Sequence, residues 1–130
     1  DLPMAMTAHI IFKAYDPDNP ATQSAEMIRV IREEIGFSGL LMTDDLNMQA
    51  LAGTLFERTA RSVAAGCDIA LHCKGDFAEM QAVARAAGDM TDAARTRAAA
   101  ALARRATPKP VDIAALEAEF SALLGETRNG

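Results

Sequence analysis

The chain has 130 residues, about the length of one domain, and half of them are apolar, so a buried core is possible and wholesale disorder is excluded. Thirteen basic against eighteen acidic residues leave a net charge of −5; this argues against nucleic-acid binding, which rests on neutralising phosphates, and is an ordinary solubility charge for a cytosolic protein. No apolar run approaches the roughly 20 residues that cross a bilayer, and Asp1-Leu2-Pro3 does not read as a signal peptide.

In chain order, Met4 to Ile11 make a first apolar run, followed by a dense loop signal at Tyr15-Asp16-Pro17-Asp18-Asn19-Pro20. Ser24 is placed to cap a helix whose apolar positions Met27, Ile28, Ile31 and Ile35 follow helical spacing, with Gly36 ending it. Leu40 to Thr43 then form a second strand. Apolar residues run into it without polar alternation, as in strands buried on both faces of a parallel sheet. Beyond an acidic loop and Gly53, Thr54 and Glu57 spell a capping box for a helix carrying Phe56, Ala60, Val63 and Ala64, closed by Gly66. Cys67 to His72 form a third strand, Asp76 and Glu79 open another helix, and Thr91 caps a long Ala/Arg-rich one reaching about Arg105. Thr107-Pro108-Lys109-Pro110 is a rigid break. From Asp112 a last amphipathic helix carries Ile113, Leu116, Phe120 and Leu124 on one side, before a polar tail.

The order β-α-β-α-β-α-α-α predicts an α/β fold with a parallel sheet and right-handed crossovers. Three such strands fit either part of a doubly wound sheet or part of a closed barrel. The division expected is a β/α part over residues 1–106 and a linker, helix and tail over residues 107–130. The chain has no initiator Met and opens next to a strand, so it is expected to be cut from something longer.

Candidate chemistry concentrates at Thr43-Asp44-Asp45. Two adjacent carboxylates at the C-terminal end of a buried strand lie where α/β proteins gather their ligand-binding loops. Asp45, facing the other way from Asp44 in extended backbone, is expected to hydrogen-bond nearby backbone or fix the loop. The two cysteines, Cys67 and Cys73, match no common zinc spacing and lie too far apart along a strand for a disulfide, so both are expected reduced.

The segment Val30-Ile31-Arg32-Glu33-Glu34-Ile35-Gly36-Phe37-Ser38-Gly39-Leu40-Leu41-Met42-Thr43-Asp44-Asp45-Leu46-Asn47 resembles the active-site signature of glycoside hydrolase family 3. That pattern runs two aliphatics, a basic residue, a spaced acidic or polar residue, a Gly, three apolar residues and Ser/Thr-Asp. The Asp-Asp-Leu-x-Met continuation, Met6-Thr7-Ala8-His9 upstream and Ala65-Gly66-Cys67-Asp68 downstream resemble the bacterial β-N-acetylhexosaminidases of the NagZ type, over roughly residues 2–105. The resemblance implies a (β/α)8 TIM barrel of which this chain supplies the last three β/α units, followed by extra C-terminal helices, so that residues 1–106 are the C-terminal part of an incomplete catalytic domain. It makes Asp44 the catalytic nucleophile of a retaining glycosidase and implies N-acetylglucosamine-containing muropeptides as substrate, in cytoplasmic peptidoglycan recycling. It implies no cofactor and no metal, and neither nucleic acid nor membrane as partner. The family's His general acid/base, its Lys-His pair and its sugar-binding Arg residues have no counterpart here. The chain alone is therefore expected to be inactive, needing the N-terminal part of the barrel or self-association.

Around Asp44, the candidate substrate contacts are His9, Asp45 and Met48, with Leu46 as possible pocket floor. His72, closing the third strand, is a further candidate ligand contact, Lys74-Gly75 a candidate phosphate loop, and Arg95, Arg97, Arg104 and Arg105 read as a solvated helix face. The rival chemistry is a Mg²⁺-binding phosphoacceptor domain, with Asp44 taking a phosphoryl group and Lys74 as its lysine.

Overall fold

In a computed structural model the chain is described over residues 2–126; Asp1 and residues 127–130 of the expected polar tail lie outside the described residues. Strand β1 (Met4–Met6) pairs in parallel with β2 (Leu40–Met42), with Met4 opposite Leu40 and Met6 opposite Met42. The expected first strand to Ile11 is cut short. Thr7 still donates its N–H to the Met42 carbonyl at 2.9 Å, but beyond it the carbonyls of Ala8 and Ile10 accept from Thr22 and Ala21 in a short 3-10 turn (Ala21–Gln23).

The third expected strand is reduced to one parallel bridge, Met42 to Ile69, yet it lies along β2. Leu41 O accepts from both Asp68 N and Ile69 N, at 2.8 and 3.2 Å, and Thr43 N donates to Ile69 O at 3.0 Å. The next bond uses the buried Thr43 hydroxyl as acceptor for Leu71 N, at 2.9 Å. A side chain standing in for a carbonyl breaks the regular ladder and frees the backbone at Asp44 to turn away.

Ser24 caps the first helix as expected, its Oγ accepting from Met27 N at 3.1 Å. Helix α1 (Ala25–Arg29) then widens into a π turn over Val30–Glu34, with Ile35 N bonding Val30 O at 2.9 Å. The five-residue spacing rotates the residues after it out of the helical stripe. Met27, Ile28 and Val30 stay buried, while Ile35, expected inside, is 71% exposed. Helix α2 (Leu55–Ala65) opens on the expected reciprocal capping box of Thr54 and Glu57 and ends at Gly66, whose φ of 114° suits a residue without Cβ. Its buried face is not the expected apolar one. Thr59 and Ser62 are fully buried, each hydroxyl donating to the carbonyl four residues back (2.8 and 2.9 Å), while Phe56 is exposed. Small, internally satisfied hydroxyls let α2 lie close against the 3-10 turn.

Helices α3 (Phe77–Ala87) and α4 (Asp92–Ala103) start at the expected caps, Asp76 and Thr91. Helix α5 (Ile113–Glu126) follows the Pro-rich break, and its Ile113, Leu116 and Phe120 are more than half exposed. The core gathers Ile28, Leu41 and Cys67, with Ala5, Ile31, Phe37 and Ala65 against them. Both cysteines are free, Cys67 buried and Cys73 exposed.

Candidate active site

The two ends of β2 do different work. At its N-terminal end the carboxylate of Asp68, 3% exposed, accepts from Leu41 N at 2.9 Å and pairs with Arg32 at 2.7 Å and Arg97 at 2.6 Å. Burial alone pushes this carboxyl up, but the Arg97 hydrogen bonds, the Leu41 N–H and the charges of Arg97 and Arg32 outweigh it and hold it below its ordinary range. Arg32 also donates to the carbonyls of Phe37 and Gly39, at 3.0 and 2.6 Å. At Gly39 a Cβ would stand 2.7 Å from the Pro3 carbonyl. The basic residue and the second glycine of the signature segment thus build the approach to the strand. Arg97, expected on a solvated face, is instead drawn into this ion pair because Asp68 is buried beneath α4; Arg95 does remain on the surface, paired with Asp92.

At the C-terminal end, Asp44 leaves the strand half-buried. Its Oδ1 accepts from Asp45 N at 2.8 Å, and its Oδ2 has no partner among the described residues. The loop that follows is held by hydrogen bonds. Asp45 Oδ1 accepts from Asn47 N and Cys73 N at 3.1 and 3.2 Å, so Asp45 fixes the loop to the end of the third segment. His9 Nε2 bonds the Asp45 carbonyl at 3.0 Å, and His9 Nδ1 bonds Thr22 Oγ1 at 2.8 Å. With both ring nitrogens engaged, His9 offers a ligand only its ring faces and carbon edges. Leu46 is fully buried and donates its N–H to Leu71 O, so it packs beneath the loop and is not a pocket floor; Met48 stays exposed on the loop.

Arg58, which no motif in the sequence marks, reaches back from α2 to the carbonyls of Leu46, Met48 and Gly53 at 2.9, 3.1 and 2.9 Å. Thr22 is likewise unmarked. Neither lies in a recognisable spacing, since each acts through backbone atoms or another side chain distant in sequence. His72, 5% exposed at its side chain, sits 3.6 Å from Glu79, and Lys74 pairs with the same carboxylate at 3.3 Å. Lys74 is thereby engaged away from Asp44. A cleft of about 450 Å³ runs beside Asn47, Phe56, Arg58 and Glu79, and one of about 500 Å³ lies between Phe37, Gly39 and α4; Asp44 lines neither.

The sequence profile described as "Glycosyl hydrolase family 3 N terminal domain" matches residues 1–105. This chain belongs to glycosyl hydrolase family 3. Among curated relatives of this family 3 chain, a beta-hexosaminidase of Alkalilimnicola ehrlichii is 47% identical over 75 residues, 55% of this chain and 21% of the relative. One from Vibrio cholerae is 39% identical over 70 residues, 52% of this chain and again 21% of the relative. The chain thus matches about a fifth of the length of these relatives. Its α/β fold is that of a glycoside hydrolase family 3 beta-N-acetylglucosaminidase from Paenibacillus, with TM-score 0.65 over 87% of this chain and 25% of that one, at 24% identity. The beta-N-acetylglucosaminidase from Thermotoga maritima matches with TM-score 0.61 at 25% identity, over 81% of this chain and 26% of that one.

Proposed function

We propose that this chain is the nucleophile-bearing part of a retaining β-N-acetylglucosaminidase, forming the last three β/α units of a (β/α)8 barrel whose other units carry the proton donor. The observation that carries this reading is Asp44 Oδ2, the free oxygen of a carboxylate whose loop is otherwise held by Asp45, His9 and Arg58. A nucleophile needs this: a fixed carboxylate with one oxygen open toward the anomeric carbon. In the reaction that oxygen attacks the anomeric carbon as the glycosidic bond breaks and the leaving oxygen takes a proton. Water then hydrolyses the Asp44 glycosyl ester with net retention.

The proton donor is placed outside this chain because the family's His acid/base has no counterpart here and the nearest histidine is spent. Both nitrogens of His9 are bonded, and Asp45 serves to tie the loop through the two backbone amides on its Oδ1. General acid/base catalysis is worth about 10²–10⁴-fold, so the chain by itself is inactive by this reading. Terminal N-acetyl-β-glucosaminides, in muropeptides during cytoplasmic peptidoglycan recycling, are the substrates; relatives named beta-hexosaminidase support the sugar class. The Mg²⁺-phosphoacceptor alternative gains no support, since Lys74 is paired with Glu79 and no cluster of three potential metal-binding side chains occurs among the described residues.

The test is to join this chain to the preceding part of its barrel and assay an aryl N-acetyl-β-glucosaminide. Asp44→Ala abolishes turnover, a loss of at least about 10³-fold on general grounds for a covalent nucleophile. Comparable activity in that variant removes the assignment.

A further inference from the structure

We infer that His9 is a positioning residue for Asp44, locked in one tautomer by a chain of two buried hydroxyls and acting through the Asp45 carbonyl. The inference rests on the assignment of Asp44 as nucleophile and adds to it a group that touches neither sugar nor reacting atom.

The directions of the bonds are set by donor and acceptor inventory. The Asp45 carbonyl only accepts, so the nitrogen 3.0 Å from it, His9 Nε2, carries the proton. In the neutral ring Nδ1 is then an acceptor, and Thr22 Oγ1 at 2.8 Å must donate to it. Having spent its one proton, Thr22 accepts from Thr7 Oγ1 at 2.9 Å; the alternative acceptor for Thr7, the Met42 carbonyl, lies farther off at 3.4 Å. The chain reads Thr7 to Thr22 to His9 to Asp45, one proton per link. Thr7 and Thr22 are both buried, so water does not compete with the protein partners.

The last link sets the nucleophile. Asp45 is held at three points: its carbonyl by His9 and by Met48 N at 3.1 Å, its carboxylate by Asn47 N and Cys73 N, and its own N–H toward Asp44 Oδ1 at 2.8 Å. That N–H fixes which oxygen of Asp44 is bonded and which is open. Without His9 the carbonyl is left on the Met48 N–H alone, so the residue rotates more freely and with it the donor that orients the attacking carboxylate. Groups that hold a reacting atom in register affect turnover more than binding.

The experiment uses the full-length protein. Thr22→Val keeps the shape of the side chain and removes the hydroxyl. It lowers kcat by about tenfold or more with KM within about twofold, while Thr22→Ser recovers most of the loss. A kcat for Thr22→Val within about twofold of the parent overturns the inference, and so does a fall that Thr22→Ser fails to recover. Ring-nitrogen NMR of the unmodified protein, assigned with His9→Gln, gives a readout independent of activity and of variant folding. His9 is observed as the Nε2–H tautomer with Nδ1 accepting; an Nδ1–H tautomer overturns the inference. If Asp44→Ala stays active, the nucleophile assignment falls while the tautomer stands. If Asp44→Ala is dead and the tautomer is reversed, only the role of His9 falls.

Discussion

Cys67 packs with Ile28 and Leu41, its thiol directed at the Thr22 carbonyl 3.6 Å away, and burial pushes its pKa up to about 11. The thiolate is the reactive form, so at neutral pH this residue is doubly protected, by burial and by protonation. Cys73 is exposed at the end of the same segment. Brief treatment with iodoacetamide and subsequent peptide mapping therefore label Cys73, and Cys67 only after denaturant is added. Equal labelling of the two without denaturant contradicts the packing around Thr22 and with it the buried hydroxyl chain. The acidic pair divides in the same residue-by-residue way. Asp44 takes a single neighbouring N–H on its Oδ1, whereas Asp45 ties the loop down, with two amides on its Oδ1 and both His9 and Met48 N on its carbonyl.

At the scale of elements, the Asp68 cluster holds the entrance of β2, the third segment and α4 together. Removing one partner of a buried ion pair leaves an uncompensated charge, at a cost of about 3–5 kcal/mol. Asp68→Asn accordingly lowers the unfolding free energy by an amount in that range, measured by chemical denaturation monitored by circular dichroism. The pH dependence has a fixed sign. The folded carboxyl titrates below its ordinary value of about 3.9, so its contribution is complete above that value and is lost as pH falls through the lowered one. Acid unfolding below about pH 4 is steeper in the parent than in Asp68→Asn; identical acid profiles contradict the assignment. Much of this scale was legible in the sequence: the caps at Ser24, Thr54, Asp76 and Thr91 and the stop at Gly66 stand where side-chain chemistry alone put them. What was illegible depended on partners distant in the chain. The π turn that expels Ile35, the Thr43 hydroxyl that ends the ladder, and the Asp68 carboxylate that recruits Arg97 leave no local period to read. The signature advertised Asp44, but its Arg32 and Gly39 proved to serve the other end of the strand.

At the scale of the whole molecule, Met4, Met6, Ile10, Ile11 and Phe12 are all exposed around β1, and α5 presents Ile113, Leu116 and Phe120. Exposed apolar area of this kind marks an interaction face or an aggregation risk, and an open edge strand adds unpaired amides. Purified alone at micromolar concentration, the chain is expected to self-associate in sedimentation velocity, and the proposed remainder of the barrel to suppress this when supplied. A monomer that melts cooperatively on its own contradicts the reading of the chain as one part of a barrel. Asp44 is the residue on which the proposed chemistry turns, and covalent trapping addresses it most directly. The full-length protein is incubated with a fluorinated N-acetylglucosaminide that forms its glycosyl ester faster than it loses it, then digested and sequenced by mass spectrometry. One sugar is expected on Asp44 and none on Asp44→Ala. A sugar carried on Asp45 or on another residue, with Asp44 unmodified, contradicts the nucleophile assignment.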